Sequence, residues 1–148
     1  RKNMVIWDGA CHVHERFSLE AILRLKSEHP GARVLVHPEC KQQIVLIADR
    51  VGSTAALLDY ARKSDADEFI VVTEPGIIFK MQEACPDKRF IPAPPADSSC
   101  ACNDCSYMKL ITLPKIIDTL ENELNAIEIP EEVAKKAIKP ILRMLEIK

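Results

Sequence analysis

The chain has 148 residues, 47% hydrophobic and 28% charged, a balance that supports one ordinary domain with a packed core and argues against disorder. A net charge of −2 gives no electrostatic reason to expect nucleic acid as a partner. No apolar run approaches the ~18–20 residues that span a bilayer, so no membrane partner is expected either.

The chain begins at Arg1 and runs at once into the apolar stretch Met4-Val5-Ile6-Trp7 and a loop of chemistry over residues 8–14. A product cut from something longer, or a processed N terminus, is the expectation. That stretch, Arg33-Val34-Leu35-Val36, Phe69-Ile70-Val71-Val72 and Arg89-Phe90-Ile91 are brief and almost continuously apolar, as strands buried on both faces of a parallel sheet are. Between them, Leu19, Ile22 and Leu23 share a helical face that stops near His29, before Pro30-Gly31. Ser53 or Thr54 caps a helix carrying Leu57, Leu58 and Ala61, and Ile77, Ile78 and Met81 mark a shorter helix ending by Pro86. The alternation predicts an α/β domain over residues 1–95, three αβα layers around a short parallel sheet.

A stiff polar connector follows, Ala93-Pro94-Pro95-Ala96-Asp97-Ser98-Ser99, and then the cysteine loop and two helices complete residues 96–148. One helix starts near Pro114 with Ile116, Ile117, Leu120 and Leu124 inward; the other starts at Pro130. The second carries Val133, Ala134, Ala137, Ile138, Ile141 and Leu142 on one stripe, with Pro140 expected to kink it. That stripe needs a partner surface.

In an open α/β sheet, ligands bind outside the carboxyl ends of the strands. If the strands are parallel, Asp8-Gly9-Ala10-Cys11-His12, His37-Pro38-Glu39, Thr73-Glu74-Pro75-Gly76 and Pro92-Ala93-Pro94 share one edge. Cys11 alone reads as a small buried hydrophobe or a ligand. His12 and His14 alternate and point opposite ways if extended, one toward the cleft and one into packing. Pro38 holds His37 extended, setting an imidazole and a carboxylate in fixed relation, unless the segment is a structural turn with a solvated Glu39. Cys40 reads as the first buried residue of the next helix and Cys85 as packing. Gly52-Ser53-Thr54 offers free N–H groups and hydroxyls to an anion, or an ordinary helix cap.

A secreted disulfide framework is not expected of the six cysteines: no signal-peptide pattern is seen, and three thiols crowd into residues 100–105. A reducing cytoplasm is the expected setting. Cys100-Ala101-Cys102-Asn103-Asp104-Cys105 can ligate a metal, form a reversible disulfide, or supply one ligand with two bystanders. Soft thiolates favour zinc, copper(I) or iron–sulfur clusters, but no second CxxC or His pair completes a local zinc site.

Gly9-Ala10-Cys11-His12-Val13-His14-Glu15, His37-Pro38-Glu39, Gly52-Ser53-Thr54, Phe90-Ile91-Pro92-Ala93-Pro94 and Cys105-Ser106-Tyr107-Met108-Lys109, in that order, resemble quinolinate synthase, an iron–sulfur enzyme of NAD biosynthesis. The resemblance covers the whole chain but only about the C-terminal half of the family's usual length. It implies condensation of iminosuccinate with dihydroxyacetone phosphate to quinolinate. It also implies three similar α/β domains, each giving one cysteine to a central [4Fe–4S] cluster whose open iron acts as a Lewis acid on substrate. The chain then resembles one complete domain with a cluster cysteine at each end, Cys11 (the second domain's contribution) and Cys105, residues 1–95 being the last of the three α/β domains. His14 matches an active-site histidine, the substrate-carboxylate motif falls on His37, Pro38 and Glu39, and the substrate-binding helix start falls on Ser53 and Thr54. His37 or Glu39 is the candidate acid or base. The first domain, with the third cysteine, is absent, so the chain alone is expected to be inactive. The C-terminal helices would pack on that missing N-terminal domain or on a second copy.

Two other readings compete. A zinc- or redox-responsive thiol module would use Cys100, Cys102 and Cys105 while the α/β domain binds a small anion. Alternatively the loops are structural and the helices mediate assembly.

Overall fold

The structure, a computed structural model, describes residues 8–96 and 103–147. The expected strand at residues 4–7 and the thiols Cys100 and Cys102 lie outside the described residues. Four strands are described, β1 (Arg33–Val36), β2 (Arg50–Val51), β3 (Glu68–Val72) and β4 (Arg89–Pro92). They form one sheet in the order β2-β1-β3-β4 with every pair parallel. The described helices are α1 (His12–Glu15), α2 (Leu19–Glu28), α3 (Gln42–Val45), α4 (Thr54–Lys63), α5 (Gly76–Ala84), α6 (Leu113–Asn122) and α7 (Glu131–Leu145), with a 3-10 turn at Met108–Leu110. The fold is therefore α/β, as the apolar runs require.

Register explains the layering. Val34 and Val36 pair with Ile70 and Val72, and all four pack with Val13, Phe17, Ile22 and Ile44 on one side of the sheet. Leu35 pairs with Val71, and both pack with Leu57, Ala61, Phe69 and Met81 on the other. Successive strand residues face opposite ways, so a strand apolar at every position needs helices on both faces. Each of these side chains larger than alanine, taken wholly out of water, contributes about 1.5–3 kcal/mol, an upper figure because the unfolded chain is itself partly collapsed.

Local chemistry sets the helix ends. Ser18 Oγ accepts from the Ala21 N–H at 3.2 Å to open α2, and the His29 N–H closes it on the Leu25 carbonyl at 3.0 Å. The inward stripe of α2 differs from the expected one: Ile22 is fully buried and Leu19 and Leu25 pack beside it, but Leu23 is 48% exposed. Leu19 and Leu25 each lie three residues from Ile22, whereas Leu23 is one residue on, about 100° around the helix. β2 was not legible in the sequence, because its two residues are both exposed and carry no apolar pattern.

The chain divides into two compact units, Arg1–Lys109 and Leu110–Lys148, and residues 103–109 of the cysteine loop belong with the sheet. In the second unit Pro114 lies in the first turn of α6, which ends at Glu123 in the left-handed conformation (φ 51°). Glu131 and Glu132 occupy the first turn of α7, where acidic groups favour the helix dipole, and Pro140 sits inside the helix. No residue of either helix is buried; Val133, Ile138, Ile141 and Leu142 of the α7 stripe are all exposed. Among the described residues no helix is long and apolar enough to cross a membrane.

Candidate metal centre and anion site

Because every strand runs the same way, the carboxyl ends of β1, β2 and β3 lie along one edge, where the chain continues into His37-Pro38-Glu39, Gly52-Ser53-Thr54 and Thr73-Glu74. The His37 N–H donates to the Val72 carbonyl at 3.2 Å and the Gly52 N–H to the Val36 carbonyl at 3.1 Å. The short strand β2 thus seats the start of α4 next to the residue that precedes His37. Ser53 Oγ accepts from the Ala56 N–H at 3.3 Å, as a cap does. Its own hydroxyl hydrogen stays free to donate, and the Thr54 and Ala55 N–H groups have no acceptor within the helix. A side chain at Gly52 would meet the Ala56 Cβ at 3.0 Å, so this close turn suits glycine.

α1 reaches the same edge by its buried anchors. Val13 and Phe17 are in the core, Phe17 bridges Pro95, and the Ala96 N–H donates to the Arg16 carbonyl at 2.7 Å. His12 and His14 occupy one helical turn, not the extended chain on which they would point opposite ways. Their surroundings still diverge. His12 lies edge-on to Tyr107, ring centroids 5.3 Å apart, with Nε2 buried and without a hydrogen-bond partner among the described residues. His14 is buried within a set of partners.

Those partners are specific. His14 Nδ1 lies 2.9 Å from Glu39 Oε2 and Nε2 lies 3.1 Å from Thr73 Oγ1. The His14 ring stacks on His37, centroids 4.3 Å apart and planes within 5°. The Glu39 N–H donates to His37 Nδ1 at 3.3 Å, which assigns the proton of a neutral His37 to Nε2. Burial, and then the neighbouring His37, hold the His14 imidazole below its ordinary value of 6.5 against the opposing pull of Glu39. His37, Glu39 and His14 therefore form one contact group, with Pro38 in the exposed turn that links two of them.

The thiols separate into two classes. Cys40 and Cys85 are in the core; Cys40 precedes α3 in a turn rather than beginning the helix, and burial pushes its thiol up to about 12. Cys40 is therefore not a ready thiolate ligand. Cys11 and Cys105 are free, half-buried and packed against the same apolar cluster as Val13. The loop bearing Cys105 is docked at that edge by Asn103 Nδ2 donating to the Val13 carbonyl at 2.6 Å, by Tyr107 against His12, and by Lys109 Nζ 3.7 Å from Glu74 Oε1.

One ligand atom each from Cys11, His14 and Glu39 lie within 4.8 Å of one another. Both His14 nitrogens are already engaged, so its use as a ligand would break a hydrogen bond. The donor chemistry of Cys11 and Cys105, two free thiols anchored to one core, fits part of an iron–sulfur ligand set, which ordinarily takes cysteine thiolates at most positions. Thr73 and Asn103 were not singled out from sequence. A hydroxyl straight after an apolar run was the only available signal for Thr73, and Asn103 carried none.

A parallel sheet whose carboxyl edge gathers two free thiols, an imidazole pair, a carboxylate and an open helix start defines an α/β protein with soft donors and a candidate anion site on one rim. Residues 1–146 match the family model described as quinolinate synthetase A protein, NadA, and the chain belongs to that family. It is 49% identical over 146 residues to the quinolinate synthase of Thermosynechococcus vestitus, a match covering 99% of this chain and 46% of that one. It is 50% identical over 144 residues to the quinolinate synthase of a Synechococcus strain (97% and 45% covered). With that of Chloroherpeton thalassium it shares 48% over 146 residues (99% and 45% covered). The chain thus spans a little under half the length of the relatives it matches.

Proposed function

We propose that this chain is the C-terminal part of a quinolinate synthase, an enzyme of NAD biosynthesis that condenses iminosuccinate with dihydroxyacetone phosphate to quinolinate. The observation that carries the reading is the meeting of His14, His37 and Glu39 beside Cys11 on the carboxyl edge, in a chain of this family. Cys11 and Cys105 would hold a [4Fe–4S] cluster together with a thiol from elsewhere in the whole protein. When bound, that cluster supplies an open iron position that polarises a substrate oxygen.

The residues of this chain have separable tasks. His37 donates from Nε2 to a substrate carboxylate, because its Nδ1 is taken by the Glu39 N–H. Glu39, 57% exposed at its side chain, is open to accept a proton during dehydration. Ser53, Thr54 and the free N–H groups of α4 receive a phosphate or second carboxylate. The C-terminal helices α6 and α7 would cover their apolar faces on the first domain of the whole protein.

Anaerobic iron–sulfur reconstitution tests this, on the chain alone and joined to the remaining length of the family. The joined protein should turn brown and form quinolinate, and Cys11→Ser or Cys105→Ser should remove both colour and product, while the 148-residue chain alone gives no turnover. The competing thiol module, built on Cys100, Cys102 and Cys105, requires colourless protein, tight zinc and indifference to Cys11→Ser. That result would displace the enzyme reading.

A further inference from the structure

Cys105 is the midpoint of a short segment tied to α1 on either side of it. Two residues before it, Asn103 is 3% exposed and its Nδ2 donates to the Val13 carbonyl at 2.6 Å. Two residues after it, Tyr107 lies edge-on to His12, ring centroids 5.3 Å apart. Both ties land on residues that directly follow Cys11. We propose that Asn103 is a positioning residue of the thiol pair, holding Cys105 beside Cys11 before any metal arrives. The inference rests on the reading of Cys11 and Cys105 as ligands of one iron–sulfur cluster.

The hydrogen bond is not one that α1 needs. The Val13 carbonyl already receives the Arg16 N–H at 3.3 Å, and a carbonyl oxygen has a second lone pair to offer. The asparagine is the dependent partner, because its amide is buried and a buried N–H without an acceptor is costly. That cost anchors the loop on α1. The Lys109 N–H donates to the Cys105 carbonyl at 3.1 Å, so the cysteine sits in a closed turn and moves with the loop. The Tyr107 residue is 71% exposed, which leaves the buried amide as the stronger of the two ties.

Pairing matters because the two thiols come from opposite ends of the sheet unit yet pack against one apolar cluster. On an undocked loop, Cys105 would have to be ordered at the moment it takes up iron. A docked loop has lost that freedom on folding, so the second thiol binds as an intramolecular ligand at high effective concentration. One buried amide therefore converts two separate thiols into a prepared pair.

Dibromobimane, a short two-armed thiol reagent that fluoresces once both arms have reacted, reads the pair without metal. With Cys100→Ser and Cys102→Ser in place and Cys40 and Cys85 in the core, the chain should form one fluorescent bridge. Mass spectrometry of the digest should locate it between Cys11 and Cys105. Asn103→Ala should slow bridging by roughly 10-fold, while alkylation of Cys105 by a one-armed reagent speeds up. Asn103→Asp keeps the shape but, ionised, has no donor, and should behave as the alanine variant does. Absence of the bridge with Asn103 in place overturns the proposal even if both variants fail to fold. So does undiminished bridging in a folded Asn103→Ala or Asn103→Asp. In a family-length protein carrying this segment, Asn103→Ala should lose iron to a chelator roughly 10- to 100-fold faster, read as decay of the brown absorbance. An unchanged rate of loss overturns the role. If bridging behaves as expected but the family-length protein with Asn103 takes up no iron, the cluster reading falls and the pairing by Asn103 stands.

Discussion

Residues up to Lys109 and residues from Leu110 onward draw on the same apolar alphabet and end in opposite states. In the first unit Ile22, Leu57 and Phe69 are wholly buried; in the second Leu120 is 74% exposed and no residue of α6 or α7 is buried. The sheet accounts for the difference. A parallel sheet offers two apolar faces that recruit helices from the adjacent chain, because each crossover must itself lie on a face. Two amphipathic helices with no sheet have only their own stripes, and helix formation needs less than packing does. The lesson is that periodicity writes a helix, while burial requires a second surface.

The largest expected effect sharpens that contrast. Phe69→Ala should cost about 3–5 kcal/mol and Leu57→Ala about 2–5 kcal/mol, seen as a lower urea midpoint, whereas Leu120→Ala should change it by less than about 0.5 kcal/mol. Equal losses at Leu57 and Leu120 would break the comparison. Next, Asn103→Ala removes the side chain that docks the Cys105 loop on Val13. It should cost about 0.5–1.5 kcal/mol, because the Val13 carbonyl keeps the Arg16 N–H at 3.3 Å, and should raise the rate of Cys105 alkylation while Cys40 stays unreactive.

Acid should act on the sheet unit through two groups. The His14 imidazole is held below 6.5, so as pH falls from that value the unfolded chain takes up a proton first and stability drops. For Asp49, burial pushes the carboxyl up, but the Val34 N–H and the Arg33 guanidinium outweigh it and hold it below 3.8. Its contribution is present above 3.8 and disappears as pH falls through the depressed value. Urea titrations at stepwise lower pH should therefore show one decline opening below about 6.5 that His14→Gln reduces, and a later one below 3.8 that Asp49→Asn removes. The smallest effect belongs to Lys109→Ala. Its 3.7 Å pair with Glu74, the lysine 55% and the glutamate 14% exposed at the side chain, is worth about 1 kcal/mol or less, visible as a modest rise in Cys105 alkylation and little else.

Legibility tracked the physical signal at each element. β1 and β3 were readable because a short continuous apolar run suits little except a strand buried on both faces, and α4 because Ser53 caps a stripe of Leu57 and Ala61. β2 was not readable, although it seats Ser53 and Thr54 on the site's edge. A two-residue exposed strand exists only because its backbone completes the ladder of β1. The split of the cysteines followed the same logic: neighbours alone cannot tell that Cys40 is closed into the core and Cys11 is not.

The sequence by itself determined the α/β class, the cap of α4, the edge on which the chemistry gathers and the family to which the chain belongs. These depend on residue type at short spacing. The tertiary structure alone decided that His14 lies between Glu39 and Thr73, stacked on His37, and that Asn103 pins the Cys105 loop to α1. Those contacts join residues 25, 59 and 90 positions apart, and only the closing of the sheet brings such distant side chains within hydrogen-bonding reach.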